Sequence, residues 1–96
     1  MSQPFPPSFE LSQFLHKQVI VDTDSSYVYI GYLEGVGNDY LSLSKVDVHD
    51  VTDSDSTKEH YAHESRKVGE RYNRQLTLVR LARVVSISKM DDVLQF

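Results

Sequence analysis

The stretch YVYIGYLEGVGNDYLSLSKVDV, residues 27–48, decides the fold. Residues 27–36 are rich in aromatic and β-branched side chains and read as one long strand. Gly31 stands in its middle, where a glycine weakens a strand and marks a bulge or sharp bend. Gly37-Asn38-Asp39 is a turn signal. Residues 40–48 then alternate, with Leu41 and Leu43 on one face and Ser42 and Ser44 on the other, which predicts a third strand. Two strands joined by a tight turn, the first of them bent, imply a strongly curved antiparallel sheet.

On the N-terminal side, Val19, Ile20 and Val21 begin a strand that ends near Asp22 and Thr23, and Asp24, Ser25 and Ser26 supply a polar turn. Further upstream, Pro4, Pro6 and Pro7 make residues 1–7 a flexible or extended arm. Ser8 offers a cap, and Leu11, Phe14 and Leu15, with Phe9, follow at helical spacing. This predicts a short amphipathic helix over about residues 8–16, which needs a surface to cover and is expected to lid one end of the sheet. On the C-terminal side, residues 49–64 (HDVTDSDSTKEHYAHE) are polar and acidic. They read either as a loop or as a short helix, since Ser56 and Glu59 have capping-box spacing, and the conformation of residues 49–70 stays open. Residues 76–81 are apolar and β-prone, Ala82-Arg83 forms a brief turn, residues 84–88 make a last strand, and MDDVLQF is a tail that packs or frays. The expected architecture is all-β with one short N-terminal helix: a single domain over residues 8–96 with five strands. Five short, bent strands tend to curl into a small, partly open barrel of the SH3-like kind.

That order resembles the Sm/LSm family. VIVDT followed by YIGYLEGV is similar to the family's first motif, with Gly31 at the kink and Leu33 two residues on. DYLSL stands where the family has a short apolar stretch containing asparagine, and VRLARVVSIS is similar to its second motif, with Arg80 on the family arginine and Val84, Val85, Ile87 and Ser88 on its final strand. The likeness extends to a divergent Sm-like branch from marine phages. There are departures. The glycine after the family arginine is Leu81 here, the asparagine two further on is Arg83, and the first turn is one residue shorter. The resemblance implies a ring of about five to seven subunits, in which the fourth strand of one subunit pairs with the fifth of the next and quenches both edges. It also implies that the two motif loops line a central pore that binds single-stranded RNA, or DNA. By position, Asn38, Asp39, Tyr40, Arg80 and Arg83 face that pore. RNA processing or stability is the role this implies.

Single-stranded RNA is held by stacking on aromatic or guanidinium planes and by hydrogen bonds to base edges. Tyr40 is the stacking candidate; otherwise it is an ordinary strand tyrosine. Arg80 suits a base or a phosphate, or else an ion pair with Asp39 that ties the two loops. Arg83 adds charge where the family has an amide. Asn38 reads a base edge or simply permits the turn. RKVGERYNR, residues 66–74, mixes basic residues with Tyr72 and suits either a nucleic-acid surface or a solvated hairpin. Tyr27, Tyr29 and Tyr32 keep open a peptide-binding module, and a structural ring component without nucleic acid is a further alternative.

The formal net charge of −4 hides an asymmetry. Residues 1–64 carry three basic and eleven acidic residues, residues 65–96 seven basic and three acidic, so the halves stand at 3 − 11 = −8 and 7 − 3 = +4. A compact fold can therefore gather a local positive patch. The 96 residues contain no cysteine, which excludes disulfides and a thiolate nucleophile. His60 and His63 lack a complete ligand set, no phosphate-binding loop or nucleophile elbow is present, and Asp91-Asp92 sits in a polar tail, so neither metal, cofactor nor catalysis is expected. The N-terminus lacks a basic region and an apolar core, and no apolar run approaches the roughly 20 residues of a membrane span; a cytoplasmic setting is expected by default.

Overall fold

β-branched and aromatic runs separated by polar turns give strands β1 (Gln18–Thr23), β2 (Tyr27–Val36), β3 (Tyr40–Asp50), β4 (Arg74–Arg80) and β5 (Val84–Lys89). The computed structural model describes residues 11–53, 57, 58, 60–62, 65 and 71–94. All five strands join one sheet in the order β4-β3-β2-β1-β5, with every neighbouring pair antiparallel. The five-stranded, strongly bent sheet expected from the sequence is present. β2 matches its predicted bounds, β3 runs two residues further and β4 starts two residues earlier. The arm at residues 1–7, Ser8 and Phe9 lie outside the described residues.

The bend is built from both partners of the β2–β3 pair. The register shifts between Ile30 and Tyr32, around Gly31. A Cβ on Gly31 would lie 2.9 Å from the Ser44 carbonyl oxygen and 3.1 Å from Val46 Cγ2, so glycine is required by close approach of backbone. Across the ladder Lys45 takes φ 49°, a left-handed conformation that turns β3 at the same place.

Curling the sheet buries Val19, Val21, Leu33, Leu41, Leu43, Val46 and Val79 on its inner face. Leu11, Phe14 and Leu15 pack against this core from one end, the expected lid. Among the described residues Leu11 and Ser12 are helical and tight turns follow, with Phe14 N–H donating to Leu11 O at 3.0 Å. His16, at φ 64°, ends it and donates its N–H to Leu33 O at 2.6 Å.

The outer face also buries apolar side chains, which the sequence reading did not foresee. Ile20, Val28 and Ile30 form a second cluster with Tyr61, Ala62 and Met90. The β3–β4 insertion folds back to cover it. Residues 58, 60–62 and 65 are helical, and the cap is Thr57, whose Oγ1 accepts from His60 N–H at 3.0 Å. The capping pair expected at Ser56 and Glu59 lies outside the described residues. Tyr61 stacks on His49 (centroids 4.1 Å, 10° between planes) and its hydroxyl donates to Asp47. Burial first, then that bond, raises the Tyr61 pKa above its ordinary value. The Lys58 ammonium reaches Asp22, Thr23 O (2.9 Å) and Ser25 O (2.8 Å), tying the insertion to the β1–β2 turn. Asn73 prolongs the β3–β4 ladder with its side chain: Val48 N–H donates to its Oδ1 at 3.0 Å and its Nδ2 donates to Val48 O at 3.1 Å.

The described residues of the insertion cover the outer face of the sheet. Among the described residues β4 pairs with β3 and β5 with β1, so the curled sheet is not closed by hydrogen bonds.

Candidate nucleic-acid interface

The β2–β3 turn and the β4–β5 turn are far apart in sequence, and curling of the sheet brings them together. Asn38 and Asp39 form a two-residue connection closed by Gly37 N–H donating to Tyr40 O at 2.8 Å. Their backbone is ordinary: among described non-glycine residues, positive φ is confined to His16 and Lys45. Asn38 is therefore not present to supply a left-handed turn position. Leu81 N–H donates to Asp39 O at 2.8 Å, so a main-chain bond joins the two turns where the sequence offered an Arg80–Asp39 ion pair.

Tyr40 and Arg80 are direct partners across the β3–β4 ladder, and both are exposed, Tyr40 by 44%. Their side chains point to the outer face, because Leu41 and Val79, one position along, point into the core. A ring and a guanidinium on adjacent strands offer two flat groups on which a base can stack. Asn38 and Asp39 are exposed beside them. These four of the five predicted residues share one end of the barrel.

Arg83 sits in the 3-10 turn Leu81–Arg83 and faces the β1–β2 turn. Its Nε lies 2.9 Å from Asp24 Oδ1, and its carbonyl accepts from Asp24 N–H at 3.0 Å. Both side chains are about half exposed, which keeps this pair weak and open to competition from another anion. Asp24 was missed because its relevance depends on a contact 59 positions away (83 − 24), which no local pattern signals. The Thr23 and Ser25 hydroxyls shape the turn that presents it: Thr23 Oγ1 donates to Tyr27 O at 2.9 Å, and Ser25 Oγ accepts from Tyr27 N–H at 3.1 Å.

The other candidates are dispersed. Arg66, Lys67 and His63 lie outside the described residues. Arg71 Nε is 3.9 Å from Asp47 Oδ2, and Tyr72 and Arg74 are exposed. Tyr27 and Tyr29 have centroids 6.4 Å apart, but Tyr29 packs on the core and Tyr32 lines a separate recess with Lys17 and Lys89. The three tyrosines do not make one surface. Among the described residues no group of three or more His, Asp or Glu side chains is placed to hold a metal.

Several exposed apolar side chains stand on the open edges. Leu76 is 64% exposed, Leu78 56% and Val85 64%. They stand beside unpaired ladder groups, the arrangement expected of a surface that pairs with another chain.

No family model matches the sequence, and no curated protein matches it significantly. Solved structures match its fold. The chain is similar to the Sm protein of Pyrococcus abyssii solved in complex with a uridine heptamer: TM-score 0.59 and 15% identity over 88% of this chain and 99% of that one. It is similar to an Sm-like protein of Archaeoglobus fulgidus, with TM-score 0.59 and 17% identity over 92% and 99% of the two chains. A chain from the NatC complex bound to a Gag peptide and CoA also matches, with TM-score 0.52 and 20% identity over 80% and 86%. The fold of this chain is Sm-like.

Proposed function

We propose that this chain assembles into a homomeric ring through its two open sheet edges and binds single-stranded RNA where the two turns converge. The observation that carries this is the convergence itself: Leu81 N–H to Asp39 O places Tyr40 and Arg80 side by side on an exposed surface. The uridine heptamer held by the Pyrococcus abyssii protein of the same fold supports RNA as the ligand. A ring repeats Arg80 and Arg83 once per subunit around a shared opening, which gathers guanidinium groups there, Arg83 held by Asp24, in a protein of net charge −4. Tyr40 stacks on bases, Arg80 takes a base or phosphate, Asn38 reads a base edge and Asp39 holds the loops together. The chemistry is binding rather than catalysis, with a role in RNA processing or stability, in a ring of about five to seven copies.

The test is a polarisation titration with oligo(U) and oligo(A) at two salt concentrations, with native mass measured in parallel. Binding should weaken with salt by a log–log slope of about −0.7 for each phosphate neutralised. Absence of binding to both oligomers at low salt, from a protein of ring mass, overturns the RNA reading; a folded monomer overturns the ring.

The likeness to a chain of the NatC complex favours a second reading, a subunit of a protein assembly without nucleic acid. Arg80→Ala with Arg83→Ala separates the two. It should abolish oligo(U) binding under the first and leave partner binding nearly unchanged under the second.

A further inference from the structure

We infer that the β2–β3 turn selects guanine, the Asp39 carboxylate accepting from guanine N1–H and N2–H while the base stacks on Tyr40. This rests on the RNA reading above and names the base that its site takes.

Asp39 is a carboxylate left bare on a surface that is to meet a polyanion. It is exposed, and among the described residues neither a hydrogen bond nor an ion pair engages its side chain. Asp24, by contrast, is answered by Arg83 Nε at 2.9 Å. Arg80 precedes Leu81, whose N–H donates to Asp39 O at 2.8 Å, yet no ion pair joins Arg80 to Asp39. The two turns are tied through that carbonyl, so the carboxylate is left without a structural task. Backbone conformation does not call for these residues either, since neither Asn38 nor Asp39 takes a positive φ. An uncompensated negative charge repels phosphates and weakens every strand alike, unless a base supplies it with donors.

The chemistry of the base edges then decides which base does so. An ionised carboxylate only accepts, through two oxygens set side by side. It matches an edge with two adjacent donors, and on the Watson–Crick edge guanine has them in N1–H and N2–H. Uracil has a single donor, N3–H, between two carbonyls. Adenine and cytosine set an amino group beside a bare ring nitrogen, whose lone pair would face the second carboxylate oxygen. With any of these three, two acceptors are left against each other, and a mismatch of that kind excludes a wrong base more strongly than a lost contact does.

The neighbouring residues complete the match. Guanine O6 lies beside N1–H, and Asn38, one position before Asp39 and exposed like it, has an amide to donate there. Tyr40, one position after and 44% exposed, offers the stacking plane. Arg80, its partner across the ladder, is placed for the phosphate.

The test is a low-salt polarisation titration with an all-uridine heptamer and with uridine heptamers carrying guanosine, inosine or adenosine at alternate positions. The guanosine heptamer should bind at least about tenfold more tightly than the all-uridine one. Inosine, which lacks the N2 amino group, should fall between them, and adenosine should bring no gain. Asp39→Asn keeps the main-chain bond to Leu81 and exchanges an acceptor for a donor, which suits the uracil edge. It should therefore bring the guanosine-to-uridine preference to one or below, whereas simple loss of a negative charge raises all affinities together and leaves the ratio unchanged. Equal binding of the guanosine and uridine heptamers, inosine equal to guanosine, or a preference that survives in Asp39→Asn overturns the inference and leaves the RNA reading standing. Failure of all four heptamers to bind a protein of ring mass overturns both.

Discussion

Removing the Asp24 carboxylate should strengthen RNA binding, because Asp24 occupies a guanidinium that a phosphate would otherwise engage. Asp24 Oδ1 lies 2.9 Å from Arg83 Nε, with the side chains 48% and 59% exposed. Exposed pairs of this kind are worth about 0.2–1 kcal/mol each. Releasing one Arg83 therefore tightens binding by roughly 1.4- to 5-fold, and a strand that contacts three subunits gains roughly 3- to 150-fold. Asp24→Asn is the suitable change, since the Asp24 N–H to Arg83 O bond at 3.0 Å is main-chain and holds the loops without the carboxylate. The assay is a low-salt titration with labelled oligo(U) on parent, Asp24→Asn, Arg83→Gln and the double variant. The gain should appear with Arg83 present and vanish with Arg83→Gln, a coupling that a double-mutant cycle isolates. Affinity unchanged or weakened in Asp24→Asn, with native mass and melting temperature preserved, refutes the reasoning. A gain of equal size in the Arg83→Gln background also refutes it, since that would be general removal of negative charge.

Gly31→Ala forces a methyl to within 2.9 Å of the Ser44 carbonyl and should cost about 1–2 kcal/mol, lowering the thermal midpoint by roughly 5–15 °C in calorimetry. Lys45→Gly should stabilise the fold by up to about 1 kcal/mol and raise the midpoint, because it relieves a left-handed residue at φ 49°. The third prediction concerns pH. The Tyr61 pKa is raised in the folded state, so its contribution is complete below the unfolded value of about 10 and is lost as pH rises above it. Denaturant midpoints should fall as pH rises above about 10, and Tyr61→Phe should remove that part of the decline.

The strands were legible because their signals are local. Alternation in residues 40–48, β-branched runs at 19–21 and 84–88, and the GND turn each act within a few positions. Gly31 marked the bend, though the left-handed Lys45 opposite it gave no sign, since lysine has no preference for that conformation. The covered outer face was legible in retrospect: Val19, Ile20 and Val21 are apolar on both faces of β1, and a strand exposed on one side alternates. What covers it was not legible, because Tyr61 and Lys58 act through Asp47 and Asp22, 14 and 36 positions away. At the candidate site, family-like positions located the turns, while the engagement of Arg83 by Asp24 depends on how the curled sheet sets one turn against another.

The insertion and the candidate site share the β1–β2 turn, and this gives the insertion a second consequence beyond burial. Lys58 fixes the turn from one side through Asp22, Thr23 O and Ser25 O, and Asp24, at its tip, reaches Arg83 on the other. Burying Ile20, Val28 and Ile30 also removes from solvent an apolar face that would otherwise compete with Leu76, Leu78 and Val85 for association. In the proposed ring, association is then left to the sheet edges rather than to a flat apolar surface that accepts many alignments. The same covalent segment thus covers the outer face and holds the turn that restrains Arg83, so a change at Lys58 should disturb the placement of Arg83 as well as the packing of the insertion.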